Sequence, residues 1–166
     1  MTGTHLHLII NHVPIFGAAF AAVLLLVSLR YGRAILQRTA LALLVVVALG
    51  GTAAKYSGEP AEDGVRGMPG VTRAAIEEHE ELADKSFLAA AVLGVLALGV
   101  LVRWRTTEIP RSAALTALAG SLVVTGMMGF TGLLGGQIRH TEVRTGATAA
   151  DAVIIEAPRK GESDER

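Results

Sequence analysis

Four long apolar runs constrain this chain more than any other feature of its sequence. Residues 8–29 and 112–134 contain few polar side chains, and at about 1.5 Å per helical residue each run crosses a hydrocarbon core of roughly 30 Å. Two further runs, at 39–54 and 86–102, reach spanning length once flanking residues are included. The sequence therefore predicts an all-α fold, a four-helix transmembrane bundle with helices at about 8–29, 35–56, 72–102 and 112–136.

The segment between the second and third runs divides into two halves. Glycine and proline interrupt its first half from Gly58 to Gly70, whereas no helix breaker follows Thr72. Beyond that point Ile76, His79 and Ser86 recur at helical spacing on one face. The third helix is therefore predicted to begin near Thr72 and to project its first turns beyond the membrane.

Composition agrees with a membrane protein and excludes several kinds of site. Hydrophobic residues make up 51% of the chain and charged residues 18%, against about 25% charged in a typical soluble domain. Basic and acidic residues both number 15, which gives no excess for binding nucleic acid. The absence of cysteine excludes disulfides, thiolate-held iron–sulfur clusters and zinc sites, and covalently attached c-type haem.

Arginine marks two short connectors and so predicts the orientation. Residues 30–38 carry three arginines and no acid, and residues 103–111 carry three arginines and Glu108. By the positive-inside rule these connectors are cytoplasmic, which places both termini and residues 55–85 outside the plasma membrane. Residues 144–166 are predicted to form a disordered polar tail, whose apolar patch at 153–155 is a possible docking segment.

The five histidines all fall on the predicted outer side. His12, His79 and His140 lie near the outer ends of the first, third and fourth helices, which neighbouring helices bring within about 10–15 Å of one another. His5 shares a face with His12 if the first helix extends backwards, and His7 is predicted to point elsewhere. Each histidine also has a purely structural interpretation. His12 would satisfy backbone groups freed by Pro14, and His79 would belong to a solvated acidic helix turn. His140 would be a polar residue at the membrane interface, and His5 and His7 would be ordinary terminal residues.

Two cofactor hypotheses follow from these imidazoles. A b-type haem would take two of His12, His79 and His140 as axial ligands, with Arg139, Arg66 or Arg73 near its propionates. Copper or zinc would instead take three imidazoles, drawn from His5, His12, His79 and His140. The fourth helix adds a ridge of glycines along its outer half: Gly126, Gly129, Gly132, Gly135 and Gly136. The ridge is interpreted either as a close contact with another helix or as a flat surface for a macrocycle, which would lie against Gly129 and Gly132.

Four motifs give the chain a family resemblance: His5-Leu6-His7 with Asn11-His12-Val13-Pro14, residues 58–62, His79-Glu80, and residues 132–140. Over residues 5–143 it resembles a group of small uncharacterised bacterial four-helix membrane proteins, a family known as a domain of unknown function. Relatives share a His-Pro start to the first helix and a Thr-Gly…Gly-Gly end to the fourth. Here Asn-His-Val-Pro stands where others have His-Phe-Pro. Some relatives look like cytochrome-associated respiratory proteins, so the resemblance implies a bacterial inner-membrane protein with a haem or redox role.

The leading hypothesis is electron transfer by haem b near the outer face, coupled to quinol or to a respiratory complex or cytochrome. Two alternatives are a copper or zinc protein and a cofactor-free accessory subunit of a larger complex. The chain carries no phosphate-binding loop, nucleophile elbow or thiol nucleophile, so no catalytic residue is assigned and an electron carrier or subunit is favoured over a self-contained enzyme. The lipid bilayer is the expected surrounding, and a homo-oligomer is compatible with the small-residue faces.

Overall fold

In a computed structural model of the protein, described over residues 2–144, the chain forms only helices and connecting turns. The predicted all-α class is confirmed for this part of the chain. Four helical segments are long and apolar enough to cross a membrane. The helices are α1 Gly3–Ile10, α2 His12–Tyr31, α3 Ala34–Asp63, α4 Arg73–Arg103 and α5 Arg111–Arg139, followed by a short 3-10 helix, Thr141–Val143.

The four long helices form an up-down-up-down bundle. Helix α2 packs against α3 and α5, and α4 packs against the same two neighbours, so each short connector joins adjacent helices. Helix α1 lies mainly along the end of α3. We call the end that holds α1 the histidine end and the end that holds the connectors 32–33 and 104–110 the arginine end.

Small residues in the core bring the helices close together. Ala18, Ala40, Ala90 and Ala114 are completely buried, and larger side chains such as Leu25, Leu41 and Leu44 fill the space between them. At the crossing of α3 and α4, a Cβ added to Gly94 would overlap the Cβ of Ala48. Such close approach of backbones is the usual basis of helix association in a bilayer.

A buried hydroxyl joins α5 to α2 in the middle of the bundle. Ser121 is fully buried, and its Oγ donates to the carbonyl oxygen of Ala18 at 2.8 Å. Thr125 donates to the carbonyl oxygen of Ser121 at 2.7 Å. Both hydroxyls are thereby satisfied by backbone carbonyls, as polar groups in an apolar medium must be.

The outer surface of the bundle is apolar along every long helix. Phe20 on α2, Leu49 on α3, Val95 on α4 and Phe130 on α5 are each more than 60% exposed, at 63%, 65%, 69% and 65%. A soluble four-helix bundle would place charged residues on this face. Lipid is therefore the surrounding that fits these helices.

The first helix differs from its prediction at its start. Instead of a single helix from residue 8, the chain is helical from Gly3 and has a one-residue turn at Asn11. Pro14 has no backbone N–H, so the normal bond back to the carbonyl of Ile10 is missing at this point. The break separates α1 from α2 and sets α1 against α3.

The second helix is longer than its prediction. Helix α3 continues beyond residue 56, through Gly58 and Pro60, and ends at Asp63. Pro60 lies in the last turn, where α1 packs closely: a Cβ on Gly3 would approach the Cβ and carbonyl oxygen of Pro60 to 2.8 Å. Contact with α1 therefore stabilises the last turn of α3, a turn that the local sequence of α3 disfavours.

The third and fourth helices begin close to their predicted positions. Thr72 caps α4, its hydroxyl accepting from the N–H of Ala75 at 3.2 Å, and the predicted inward stripe is buried at Ile76 and Ser86. Helix α5 extends to Arg139. The predicted tail at 144–166, with the patch at 153–155, lies outside the described residues except for Arg144.

Candidate functional site

His7 points from α1 into the contact with α3 at the histidine end. Its Nδ1 lies 3.1 Å from the carbonyl oxygen of Ala54 and 3.0 Å from the hydroxyl of Ser57. The hydroxyl of Ser57 itself donates to the Ala54 carbonyl at 3.0 Å. The ring is half-buried beside Gly58, where an added Cβ would stand 3.8 Å from its Cε1.

His79 points from α4 towards α5 at the same end. Its Nδ1 lies 3.0 Å from the carbonyl oxygen of Thr131, and its ring rests on Gly135, where an added Cβ would approach Cε1 to 3.0 Å. The hydroxyl of Thr131 donates to the carbonyl of Met127 at 2.9 Å, so in the 2.9 Å contact between Thr131 and Ser86 the serine is the donor. These bonds hold Thr131, whose carbonyl is the partner of His79, in place.

The two rings share one tautomer. A carbonyl oxygen can only accept a hydrogen bond, so the Nδ1 that contacts it carries the proton in the neutral imidazole. Nε2 then holds a lone pair, and within residues 2–144 no hydrogen bond engages Nε2 of His7 or His79. A histidine whose Nδ1–H is tied to a backbone carbonyl and whose Nε2 is free has the arrangement typical of a metal ligand.

The two rings lie at the same end of the bundle. His7 comes from α1 and contacts α3, whereas His79 comes from α4 and contacts α5. Asn11 follows His7 by one helical turn, and its Oδ1 is buried with no hydrogen-bond partner among the described residues. The histidine end therefore combines two imidazole lone pairs with an unsatisfied amide oxygen.

The other three histidines lie apart from this pair. His12 is exposed, bonds to the carbonyl of Leu8 on its own helix and stacks on Phe16 on the outer surface, with ring centroids 5.7 Å apart. His5 is exposed and contacts the hydroxyl of Thr2 at 2.8 Å. Of the predicted histidines, only His79 lies in the polar site at the histidine end.

His140 is exposed after α5, and its Nδ1 lies 2.9 Å from a carboxylate oxygen of Glu142. A hydrogen bond from the backbone N–H of Glu142 itself, together with the bond from His140, lowers the pKa of the Glu142 carboxyl. This is a local pair on the surface, formed within the 3-10 helix and its preceding residue. It gives His140 a charged partner instead of a place in the interior.

Among residues 2–144, no group of three or more histidine, aspartate or glutamate side chains is arranged to hold a metal ion. The predicted copper or zinc alternative, with His5, His12, His79 and His140 as ligands, therefore has no support in the described part of the chain. A zinc site needs four ligands, of which at least three come from the protein.

The glycine ridge does not form one surface. Gly135 meets His79, and a Cβ on Gly132 would meet Ile15 of α2 at 3.5 Å. A Cβ on Gly129 would meet nothing within 4 Å, as would one on Gly126 or Gly136. The ridge is therefore divided between interior contacts and open positions on α5.

The three arginines predicted to pair with haem propionates differ in whether they already pair with a carboxylate. Arg66 pairs with Glu62 at 2.8 Å and Arg73 with Glu77 at 2.6 Å, each within one helical turn. Arg139 is exposed and has no ion pair in the described residues. Within residues 2–144, Arg139 is the one of these three arginines whose guanidinium has no carboxylate partner.

Sequence reasoning missed His7, although a signal was present. The buried face of α2 includes Pro14, Ala18, Ala21 and Leu25. Extended backwards at helical spacing, this stripe passes through Asn11 and reaches His7. A predicted helix that begins at residue 8 leaves His7 outside it, as a terminal residue.

Comparison of the chain with protein-family models, with functionally curated proteins and with solved structures finds no match. The resemblance to the bacterial four-helix family therefore stays a prediction. Functional inference rests on the geometry of the site.

Proposed function

We propose that this is an integral-membrane b-type haem protein that carries electrons near the histidine end of the bundle, with His7 and His79 as the axial pair. One observation carries the proposal. Two imidazoles, from α1 and α4, lie at the histidine end with Nδ1–H held by the carbonyls of Ala54 and Thr131 and with Nε2 free of partners in the described chain. His79 keeps its predicted role, and His7 takes the place of His12 or His140.

The donor set fits the cofactor. Two neutral imidazoles are the ligand type that would hold a b-type haem, and an arginine at the polar end would pair with its propionates. Arg139 has no ion-pair partner within residues 2–144 and would serve that purpose.

When bound, haem supplies a one-electron redox centre. The chain's own residues determine how the site is held. Ala54 and Thr131 fix the orientation of the imidazoles, Ser57 and Ser86 hold those carbonyl-bearing segments in place, and the buried alanines and leucines beyond them exclude water. The hydrogen bond from Nδ1–H to a carbonyl also fixes the orientation of each ring.

The orphaned oxygen of Asn11 supports a quinol as the electron donor. A buried amide oxygen without a donor costs about 1–3 kcal/mol, which a ligand hydroxyl recovers. A quinol carries two hydroxyl groups, and its apolar ring and tail are compatible with the bilayer.

Absorption spectra of the purified full-length protein test the assignment. Expressed with sufficient haem, the wild-type protein should show a Soret band and sharp reduced-state bands of a bis-imidazole haem. His7→Ala and His79→Ala should each abolish or shift these bands, whereas the matched controls His5→Ala and His12→Ala should keep them. A haem-replete preparation without a Soret band refutes the proposal, and loss of the bands in His12→Ala but not in His7→Ala refutes the ligand assignment.

The orientation proposed from arginine distribution places the arginine end in the cytoplasm of a bacterial inner membrane and both termini outside. Because the chain contains no cysteine, single-cysteine variants carry a unique label site. A membrane-impermeant maleimide should label Met68→Cys in intact spheroplasts and label Thr106→Cys only after permeabilisation. The reverse pattern would invert the topology.

A second candidate function, a cofactor-free accessory subunit or homo-oligomer, is favoured by one observation. Gly126 and Gly129 lie on an outward face of α5 where an added Cβ would meet nothing, and small residues of this kind permit close contact with another transmembrane helix. If His7→Ala with His79→Ala leaves the parent complex and its activity intact while Gly126→Leu with Gly129→Leu disrupts assembly, this candidate replaces the haem protein.

A further inference from the structure

The arginine end contains a second polar site, far along the bundle from the histidines. A cavity of about 330 Å³ lies between the start of α3 and the connector that joins α4 to α5. Its polar lining comes from both segments: Gln37, Arg38, Arg105, Thr106, Thr107 and Glu108.

Gln37 places an amide group in this cavity. The residue is 9% exposed, and its side chain makes no hydrogen bond to any residue of the described chain 2–144. Its amide atoms are not sealed from solvent, since Oδ1 of Asn11 is the buried side-chain polar atom without a partner in this part of the chain. Because Gln37 lines the cavity, its amide is free to bind a group that enters it.

The charges around Gln37 identify that group as an anion. Two basic residues, Arg38 and Arg105, line the cavity together with one acidic residue, Glu108. Arg38 uses its Nη2 to bridge the carbonyls of Trp104 and Thr107 at 2.8 and 2.7 Å, which fixes its charge at the wall. Arg105 is exposed and has no partner among residues 2–144, so its guanidinium is free to bind.

Backbone and hydroxyl donors add to the positive charge. Helix α3 begins at Ala34 beside the cavity, and no side chain caps its first turn. Its positive helix end and uncapped N–H groups therefore face the same space. Thr106 and Thr107 contribute two hydroxyls. Guanidinium, amide, hydroxyl and helix N-terminus together are the donor set that binds phosphate.

We propose that this cavity binds a phosphate group, either of an anionic lipid headgroup or of free inorganic phosphate, between Arg105, Gln37 and the first turn of α3. Tyr31 and Trp104 lie at the same end of the bundle as the cavity, and such aromatic side chains are typical of helix ends at a membrane surface. Basic pockets between helix ends are known lipid-headgroup sites in membrane proteins.

Two binding measurements on the full-length protein distinguish the sources. Native mass spectrometry with phosphatidylglycerol, against phosphatidylcholine as the zwitterionic control, reports on a headgroup. Thermal stability in detergent, titrated with inorganic phosphate at constant ionic strength against chloride, reports on the free anion. Saturable binding in either measurement supports the site. The measurement that responds shows whether the phosphate group comes from a lipid headgroup or from the free anion.

Four variants test the site itself. Arg105→Gln and Gln37→Leu should each weaken binding about tenfold or more, because each removes a hydrogen bond to a charged group. Glu108→Gln should strengthen binding by removing the opposing carboxylate. Arg103→Gln is the matched control, since it removes the same charge from the same end but lies outside the cavity, and it should change affinity less than twofold. No stoichiometric binding in either arm, or equal loss in Arg103→Gln and Arg105→Gln, overturns the proposal.

Discussion

The imidazole of His79 rests directly on Gly135 of the neighbouring helix. A Cβ at that position would come within 3.0 Å of the ring, closer than carbon atoms normally approach. The contact holds the ring where its Nδ1 reaches the carbonyl of Thr131 at 3.0 Å, one turn earlier on the same helix. The absence of a side chain at residue 135 is therefore part of how the histidine is positioned.

Replacing Gly135 with alanine should displace the His79 ring and weaken its bond to Thr131. We expect Gly135→Ala to be about 1–3 kcal/mol less stable than Gly136→Ala, the cost of overpacking a close contact. Gly136 is the matched control because its added Cβ meets nothing within 4 Å, and alanine there gains helix propensity of up to about 1 kcal/mol. Melting temperatures of both variants in one detergent measure the difference, and equal temperatures would contradict the contact.

Replacing Asn11 with leucine should separate stability from function. Asn11 Oδ1 is buried without a partner in residues 2–144, so an apolar side chain of similar size should leave the melting temperature unchanged or raise it. If the oxygen receives a quinol hydroxyl, the same variant should reduce its haem with quinol at least tenfold more slowly, with the haem spectrum unchanged. Thermal melts and stopped-flow reduction measure the two effects, and a large loss of stability would show that the oxygen is satisfied within the protein.

Gly94 should be the least replaceable glycine of the transmembrane region. A Cβ there would overlap Ala48 and approach the carbonyl oxygen of Leu44 to 3.1 Å, so α3 and α4 must separate to admit it. We expect Gly94→Ala to cost about 1–3 kcal/mol. Gly99 lies later on the same helix with nothing near its Cβ direction, and Gly99→Ala should be neutral or stabilising. Thermal unfolding of the pair checks this, and comparable stability would argue against the close helix crossing.

Arg38 should hold the connector between α4 and α5 against α3. Its two hydrogen bonds, to the carbonyls of Trp104 and Thr107, are charge-assisted and worth about 1.5–3 kcal/mol each. Arg38→Ala should therefore free this connector and accelerate tryptic cleavage after Arg105 several-fold. Arg33→Ala removes a neighbouring charge that makes no such bridge and serves as the control. Unchanged cleavage in Arg38→Ala would show that the connector is held by other contacts.

The fold was largely predictable because hydrophobic run length is a strong signal. Apolar segments that can cross a bilayer do form the four long helices, and the inward position of His79 followed from its spacing to Ile76 and Ser86. The continuation of α3 through Pro60 was not predictable from local sequence. It depends on α1 packing against that turn, a contact between residues far apart in the chain.

The site was only partly predictable. A histidine at the end of a helix indicates a polar site, but the helix face on which the histidine lies depends on where the helix starts. A start at Gly3 instead of Leu8 carries the buried stripe of α2 back to His7, and the turn at Asn11 sets that ring against α3. Gln37 gave no sequence signal either, because its lack of a partner becomes visible only when the connector at 104–110 folds over it.

The closely packed middle of the bundle separates its two polar ends. Between the two polar ends, Ala18, Leu25, Leu41 and Leu44 are completely buried, and the hydroxyl of Ser121 is already committed to a backbone carbonyl. Proton conduction needs a continuous file of exchangeable hydrogen bonds, and an ion without partners in such a medium is very costly. The proposed electron transfer at one end would therefore open no proton path along the middle of the bundle.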